Sequence, residues 1–180
     1  RDDKTVKFCI TARDGWKITN HDLKTAEMYA AAVLSGDKNL QKVFIDKVDY
    51  HGFMAKNKFG LPCHPNEVAE LYPDLRQSAK TISFEILYKL NFREEALKSF
   101  PRLKKWLKEQ QESIEGNAYI YSFFGRKRRL PNVKSSDRQT RMHEVRSGVN
   151  FLVQSVSSDI NLLAAIDMQE YIVANNMRAK

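Results

Sequence analysis

Four side chains with distinct chemistry recur at every fourth position of one segment: Arg76, Lys80, Phe84 and Tyr88. At 3.6 residues per turn, they form a slowly drifting stripe on a helix. Two cations one turn apart can hold a polyphosphate, and two aromatic rings farther along can stack on a sugar and a base. An exposed basic turn followed by aromatic residues that serve the core has the same pattern. The stripe by itself therefore leaves both interpretations open.

The same segment carries a second, apolar stripe that predicts the helix itself. Its members follow one another at spacings of four, three and four residues, which places them on one helix face. They are Leu75, Ala79, Ile82 and Ile86. Pro73 stands where such a helix can begin. We therefore predict a helix over residues 73–88 with one face for packing and another that is cationic and aromatic.

The N-terminal segment has the pattern of a β-hairpin. Residues 6–10 alternate between apolar and polar or smaller side chains, as in a half-buried strand. Asp14-Gly15 is a strong signal for a tight turn. The alternation then resumes at residues 16–18. We predict a hairpin whose second strand delivers Asp22 to its end.

The rest of the chain has mainly helical patterns. Helices are predicted over residues 25–34, with Gly36 as C-cap, over residues 40–44, and over residues 49–60, with Asp49 as N-cap. A further helix can begin at Pro65. Residues 94–114 form an amphipathic stretch that is interrupted at Pro101. Residues 118–123 favour a strand, and Gly125 opens a turn. From Asp137 onward the periodicity is helical almost to the end. Because a single helix of that length would be unusual, we predict a break in it.

Composition indicates a globular, basic protein. The 180 residues are 42% hydrophobic and 29% charged, and the net charge is +8. A surplus of cations favours an anionic partner, with nucleic acid as the leading class. No apolar run approaches roughly 20 residues, and no signal peptide is evident, so we expect a cytoplasmic location and no membrane partner. The first residue is Arg1 rather than Met, which indicates a processed or excised fragment.

Cysteine and histidine offer a weak alternative site. Cys9 and Cys63 are the only cysteines; two make no disulfide framework, and a reducing compartment fits them. Cys63 stands next to His64, but no Cys-x-x-Cys spacing supports a zinc site. We therefore expect no zinc.

Five segments resemble the motifs of family A DNA polymerases and occur in that family's order. The stretch from Arg76 to Tyr88 resembles motif B, and Asp22-Leu-Lys-Thr-Ala-Glu27 resembles motif A. Asp49-Tyr-His51 is similar to the family's Asp-Ile-His element. Phe124-Gly-Arg-Lys-Arg-Arg-Leu-Pro131 is similar to its basic hairpin. Arg146-x-x-x-Asn150-x-x-x-Gln154, followed by Asp159, is similar to its primer–template helix. Several segments look closest to polymerases of large tailed bacteriophages.

The resemblance implies catalytic and triphosphate-binding roles. Asp22 would bind two magnesium ions, together with the backbone carbonyl of Leu23, because nucleotidyl transfer with two metals needs hard oxygen ligands. Arg76, Lys80 and His51 would hold the triphosphate of a deoxynucleotide. Lys80 would also be catalytic, because it would protonate the departing pyrophosphate.

The resemblance also assigns residues to the rest of the nucleotide and to DNA. Glu27 would lie beneath the sugar and exclude a 2′-hydroxyl, Phe84 would pack on the sugar, and Tyr88 would lie near the templating base. Arg146, Asn150 and Gln154 would donate hydrogen bonds to acceptors in the minor groove of DNA. The positions of these acceptors are nearly the same for every correct base pair. Phosphate contacts would come from Arg126, Arg128 and Arg129, for which an ordinary solvated basic turn is the alternative.

The implied fold is α+β, with a mainly helical fingers region and a partial antiparallel palm sheet built from the ends of the chain. Residues 1–40 would be partial palm with motif A. Residues 41–145 would be fingers with motif B, and residues 146–180 would be the primer–template helix returning to the palm.

Two departures from the family bear on activity. Lys89 follows motif B where the family usually has Gly, and the stretch from Tyr88 to Pro101 is shorter than in the family. No segment resembles motif C, which carries the second catalytic carboxylate. We therefore expect a fragment of a template-directed DNA polymerase that is inactive without the remaining palm, thumb and any exonuclease segments. The alternative is a basic nucleic-acid-binding module without catalysis.

Overall fold

The computed structural model describes residues 9–90 and 97–179, and helices dominate it. The helices are α1 (Ala26–Ser35), α2 (Lys38–Ile45), α3 (Tyr50–Phe59), α4 (Val68–Leu71), α5 (Pro73–Lys89), α6 (Pro101–Asn117) and α7 (Arg138–Ala174). Short 3-10 helices lie at Pro65–Glu67 and Pro131–Lys134, and strands β1 (Tyr119–Tyr121) and β2 (Lys127–Arg129) form an antiparallel hairpin. The predicted α+β class with a mainly helical region is confirmed.

One hydrophobic core holds these helices together. α3 packs along α5, while α1 and α6 pack on α7. Fully buried side chains in this core include Tyr50 of α3, Ile86 of α5, Leu107 of α6 and Val149 of α7. Burying a large apolar side chain contributes roughly 1.5–3 kcal/mol. The core therefore fixes α5 and α7, the two helices that carry half of the predicted site residues.

Local capping signals confirm several predicted helix ends. The Asp49 carboxylate accepts the N–H of Gly52 at 3.1 Å and begins α3. Gly36 and Gly60 end α1 and α3 with φ of 67° and 64°, a conformation that costs glycine little. Pro73 is the first residue of α5. These ends were predictable because each depends on neighbours within a few residues.

A buried carboxylate that the sequence pattern did not reveal caps two helices at once. Asp37 is 1% exposed. Its Oδ1 accepts the N–H of Leu40 in α2 at 3.0 Å, and its Oδ2 accepts the N–H groups of Arg102 and Leu103 in α6 at 2.9 Å each. The starts of α2 and α6, far apart in sequence, are therefore joined through one side chain.

The predicted N-terminal hairpin is wrong for the residues that the structure describes. Its first strand begins at residue 6, outside them. The turn at Asp14-Gly15 is present, with a φ of 75° at Gly15, but residues 16–22 form no strand. No described segment pairs with them, and an extended segment without a partner gains no ladder hydrogen bonds. Asp22 therefore ends an irregular segment, and the described sheet comes from the middle of the chain rather than from its ends.

The predicted break in the C-terminal helix is also wrong. α7 runs unbroken over 37 residues, about 55 Å, and Asp137 caps it through the Thr140 N–H at 2.7 Å. Its single glycine, Gly148, lies so close to Ile114 and Leu130 that a Cβ would come within 2.7 Å of each side chain. The glycine serves close packing instead of breaking the helix. Packing of the first half of α7 on the core stabilises a helix too long to depend on propensity alone.

Among the described residues, α7 is the one helix whose length and composition would suffice to cross a membrane. An 18-residue window of it has a mean hydropathy of 1.3, and 28% of that window is buried inside the protein. Core helices of soluble proteins meet the same criterion. This single helix is therefore weak evidence for a membrane span.

Candidate active site

A cavity of about 440 Å³ brings the predicted nucleotide-binding residues together. We call it the central cavity. Its lining includes Asp22, Leu23, Glu27, His51, Arg76, Lys80 and Phe84. These residues come from the irregular segment before α1, from α1 itself, from the start of α3 and from one face of α5. Tyr88, the last residue of the predicted stripe, joins them through a hydrogen bond to Glu27.

The stripe on α5 faces this cavity, whereas the neighbouring face packs inward. Ala79, Ile82 and Ile86 are buried, as the apolar stripe predicts. Phe84 is 38% exposed, so its ring does not serve the core. The Lys80 Nζ lies 5.9 Å from the centroid of the Phe84 ring, and the Phe84 and Tyr88 centroids are 5.6 Å apart. Lys80, Phe84 and Tyr88 therefore lie in one row along the helix.

Arg76 already has a carboxylate partner. Its Nε and Nη2 donate to the two oxygens of Asp49, at 2.6 and 2.9 Å. Burial alone would raise the pKa of Asp49, but the hydrogen bond and the charge of Arg76 hold it below its ordinary value. The pair fixes the direction of the guanidinium. Sequence reasoning used Asp49 as a helix cap and missed this pairing, since nothing local connects positions 49 and 76.

His51 is buried and neutral in the absence of a ligand. Its Nδ1 lies 3.5 Å from the Ser83 Oγ, which donates to the Ala79 carbonyl at 3.0 Å. Burial, and then the positive charge of Arg76, lower the pKa of His51 to about 4. At neutral pH, His51 therefore offers a hydrogen bond to the cavity rather than a charge.

We expect the free energy of unfolding to decrease as the pH falls from about 6.5 towards 4, because of His51. In this interval the unfolded chain binds a proton at the imidazole, while the folded protein keeps it neutral. His51→Gln, whose amide does not titrate, should flatten the profile. Urea denaturation at several pH values measures it, and an equally steep profile in the variant would contradict the assignment.

Glu27 and Tyr88 form a hydrogen-bonded link between three helices. The Tyr88 hydroxyl of α5 donates to Oε1 of Glu27 in α1, and Gln154 Nε2 of α7 donates to the Tyr88 oxygen at 3.3 Å. Partial burial, followed by the hydrogen bond to the Glu27 carboxylate, raises the pKa of Tyr88 to about 12. The Glu27 carboxylate is thus held at the cavity wall, with Oε1 accepting the hydrogen bond from Tyr88.

Asp22 and Leu23 offer hard oxygen atoms at the edge of the central cavity. A carboxylate and a backbone carbonyl are the kind of ligand that magnesium prefers. Within residues 9–90 and 97–179, no cluster of three or more His, Cys, Asp or Glu side chains could hold a metal by itself. The residues present therefore fit part of a magnesium ligand shell.

His64 caps a short 3-10 helix through its side chain and its backbone. Its Nδ1 accepts the N–H of Asn66 at 3.3 Å, and its own N–H donates to Glu67 Oε2 at 2.8 Å. The two bonds form a capping box at the start of the 3-10 helix. Cys63, its neighbour, is a free cysteine.

A second group of predicted residues meets between α5, the hairpin and α7. There a cavity of about 360 Å³, the hairpin cavity, is lined by Tyr88, Arg128, Arg146, Asn150 and Gln154 among others. Arg128 Nη2 donates to Ser147 Oγ at 2.6 Å, and its guanidinium lies 5.6 Å from the Phe151 ring centroid. The geometry therefore brings one hairpin arginine to the polar stripe of α7.

The other two hairpin arginines lie differently. Arg126 forms an ion pair with Asp159 of α7 at 2.8 Å and also donates to the Ser155 carbonyl at 3.3 Å. Arg129 pairs with Tyr119 across the two strands and is exposed. Neither lines the hairpin cavity. Arg126 thus fastens the hairpin to α7, whereas Arg129 has its side chain in solvent.

Comparison with known proteins places these features in a family. A model of DNA polymerase family A matches residues 1–94 and 90–180. The DNA polymerase of Escherichia phage T5 is 40% identical over 214 residues, which cover 97% of this chain and 25% of that protein. The thermostable DNA polymerase I of Thermus aquaticus is 28% identical over 180 residues, which cover 91% of this chain and 21% of that protein.

A solved structure supports the same relationship. It is the POL domain of Pol1 from M. smegmatis in complex with DNA primer-template and dNTP, with a TM-score of 0.77 and 26% identity. The match covers 87% of this chain and 30% of that one. The chain thus spans about a quarter or less of the length of the two curated relatives.

The alignments cover the whole of this chain and also include positions that it lacks. The family model matches in two parts that meet at residues 90–94. The alignment with the phage T5 polymerase extends over 214 positions, more than the 180 residues of this chain, so that relative contains residues without a counterpart here. Together the two parts of the family match extend from the first residue to the last. The chain belongs to DNA polymerase family A.

Proposed function

We propose that this chain forms the nucleotide-binding fingers and part of the palm of a template-directed DNA polymerase, which adds deoxynucleotides to a primer 3′ end and releases pyrophosphate. The proposal rests on the residues that line the central cavity. It joins an exposed carboxylate at Asp22, cations at Arg76 and Lys80, and an aromatic ring at Phe84. These are the groups that a metal-bound triphosphate, its sugar and its base require.

Each residue of the cavity has a part in this proposal. Asp22 and the Leu23 carbonyl would hold magnesium, which when bound neutralises charge on the attacking and leaving oxygens. Lys80 would hold the triphosphate and give a proton to the departing pyrophosphate. Glu27, already fixed by Tyr88, would exclude a 2′-hydroxyl, and Phe84 would pack on the sugar. Further contacts to the triphosphate would come from Arg76 and His51, and Tyr88 would lie near the templating base.

The assignment extends to DNA and to the division of the chain. Residues 1–40 would belong to the palm, residues 41–145 to the fingers, and residues 146–180 to a helix that follows primer and template. Minor-groove contacts would come from Arg146, Asn150 and Gln154, and phosphate contacts from Arg126, Arg128 and Arg129. The partners would be primer–template DNA, deoxynucleoside triphosphates, and the remaining palm, thumb and any exonuclease segments. The enzyme would work in the cytoplasm, that of the host for a phage protein, without a membrane.

Primer extension by the complete polymerase tests the proposal. We expect Lys80→Ala to lower the maximal rate by about 100-fold or more, because general acid catalysis contributes factors of this size. Lys108→Ala removes an exposed lysine of α6, and we expect it to leave the rate unchanged. A protein that binds DNA but shows neither magnesium-dependent extension nor selection of the template-matched nucleotide would instead be a non-catalytic nucleic-acid-binding module.

A further inference from the structure

One end of the central cavity, which we call the phosphate end, is formed by Arg76, His51 and Lys80. It has less positive charge than these residue types suggest. Arg76 is paired with Asp49 through two hydrogen bonds of 2.6 and 2.9 Å, so its charge is largely compensated. His51 is neutral at pH 7, because burial lowers its pKa to about 4. Of the three residues that the family resemblance assigns to the triphosphate, Lys80 alone keeps an uncompensated charge. Beside bound magnesium, a further cation here would offset more of the charge of a triphosphate.

Lys24 adds a cation that the motifs do not assign. It lies in the turn between Asp22 and Glu27, its side chain is exposed, and it lines the central cavity. Within the described part of the chain, no carboxylate lies within ion-pair distance of its ammonium. Its positive charge also contributes to the lowered pKa values of His51 and Asp49. The ammonium is therefore available, and its field extends across the cavity.

The position of Lys24 points to the phosphate end rather than to the base. A second cavity of about 470 Å³, the side cavity, is lined by Lys24, Arg76 and Asp49, but not by Phe84. Lys24 and Arg76 thus border both cavities, on the side away from the aromatic ring. Only Leu23 separates Lys24 from Asp22, so its flexible four-carbon stem starts beside the proposed metal ligands.

We propose that Lys24 binds the phosphate tail of the incoming deoxynucleoside triphosphate and holds the pyrophosphate formed from it. The inference rests on the proposed function. Lys24 supplies the charge that Arg76 shares with Asp49 and that neutral His51 lacks. The polyphosphate then lies between two ammonium groups, Lys24 from the turn before α1 and Lys80 from α5.

Nucleotide affinity of the complete polymerase on a primer–template tests this. We expect Lys24→Ala to raise the dissociation constant of the matched nucleotide by about ten- to 100-fold, as for loss of one hydrogen bond to a charged group. The inhibition constant of inorganic pyrophosphate should rise in parallel. Lys24→Arg should restore most of both affinities, because it keeps the charge. Lys42→Ala, which removes an exposed lysine of α2 outside the cavity, is the charge-matched control.

The outcomes separate this inference from the proposed function. One outcome is that Lys24→Ala matches the Lys42→Ala control while Lys80→Ala still lowers the rate of extension by about 100-fold or more. That result would overturn the role of Lys24 and leave the proposed function standing. If the wild-type polymerase shows no magnesium-dependent, template-matched extension, both are overturned. Thermal unfolding of Lys24→Ala should match wild type, and a large decrease in Tm with unchanged pyrophosphate inhibition would assign Lys24 a structural role instead.

Discussion

Replacing Gly52 by alanine should destabilise the protein by about 3 kcal/mol or more, at the upper end of what overpacking costs. A Cβ at this position would lie 2.0 Å from the carbonyl oxygen of Pro65 and 3.0 Å from Asp49 Oδ2. The first contact is with backbone, which cannot move aside as a flexible side chain can. The start of α3 or the 3-10 helix at Pro65–Glu67 must shift. Chemical denaturation followed by circular dichroism measures the loss.

Gly116 provides the matched control. It lies in α6, and a Cβ there would meet nothing within 4 Å. Gly116→Ala should therefore stabilise the protein by about 0.5–1 kcal/mol, because glycine loses more conformational freedom than alanine in a helix. The two alanine substitutions are expected to have opposite signs. Destabilisation of similar size at both positions would contradict the packing described for Gly52.

Asp37→Ala should cost about 3–4 kcal/mol. The substitution removes the helix cap of α2 and leaves the N–H groups of Arg102 and Leu103 without their acceptor, each loss costing roughly 1 kcal/mol or more. Asp37→Asn keeps one oxygen and should lose about half as much. The unfolding free energies of the two variants, obtained from urea titrations, test this order.

An exposed cap gives the comparison for Asp37. Asp137 caps α7 through the N–H of Thr140 and is exposed. Water can replace its carboxylate, whereas the pocket around Asp37 excludes water. Asp137→Ala should therefore destabilise clearly less than Asp37→Ala. Equal losses would mean that the bonds from Asp37 to α6 contribute nothing beyond an ordinary helix cap.

The parts of the fold that were predicted correctly depend on neighbours in sequence. Asp49 caps a helix through a residue three positions away, and Pro73 begins α5 by its own fixed φ. The helical stripe from residue 76 to residue 88 follows from spacing alone. The strand expected at residues 16–22 is absent, because an alternation of side chains does not by itself ensure that a segment pairs with another one.

The site shows the same limit. Spacing indicated which side chains share a helix face, and the family's motif order indicated which segments belong together. The charge of the cavity was not predictable, because it depends on the pairing of Asp49 with Arg76, 27 positions away. The hydrogen bond between Glu27 and Tyr88 was not predictable either, because the two residues are 61 positions apart. The position of Lys24 at the cavity was not predictable from spacing, because a single lysine in a turn forms no pattern.

Helix α5 is fastened at its two ends by bonds of different kinds. Near its start, Arg76 is held by an ion pair with Asp49; about 18 Å away, Tyr88 is held by a neutral hydroxyl donor to Glu27 and by the Gln154 amide. Dissolved salt weakens attraction between two opposite charges more than it weakens a bond with a neutral donor. Higher ionic strength should therefore weaken the bonds at the Arg76 end more than those at the Tyr88 end, while the buried face of α5 stays packed on the core.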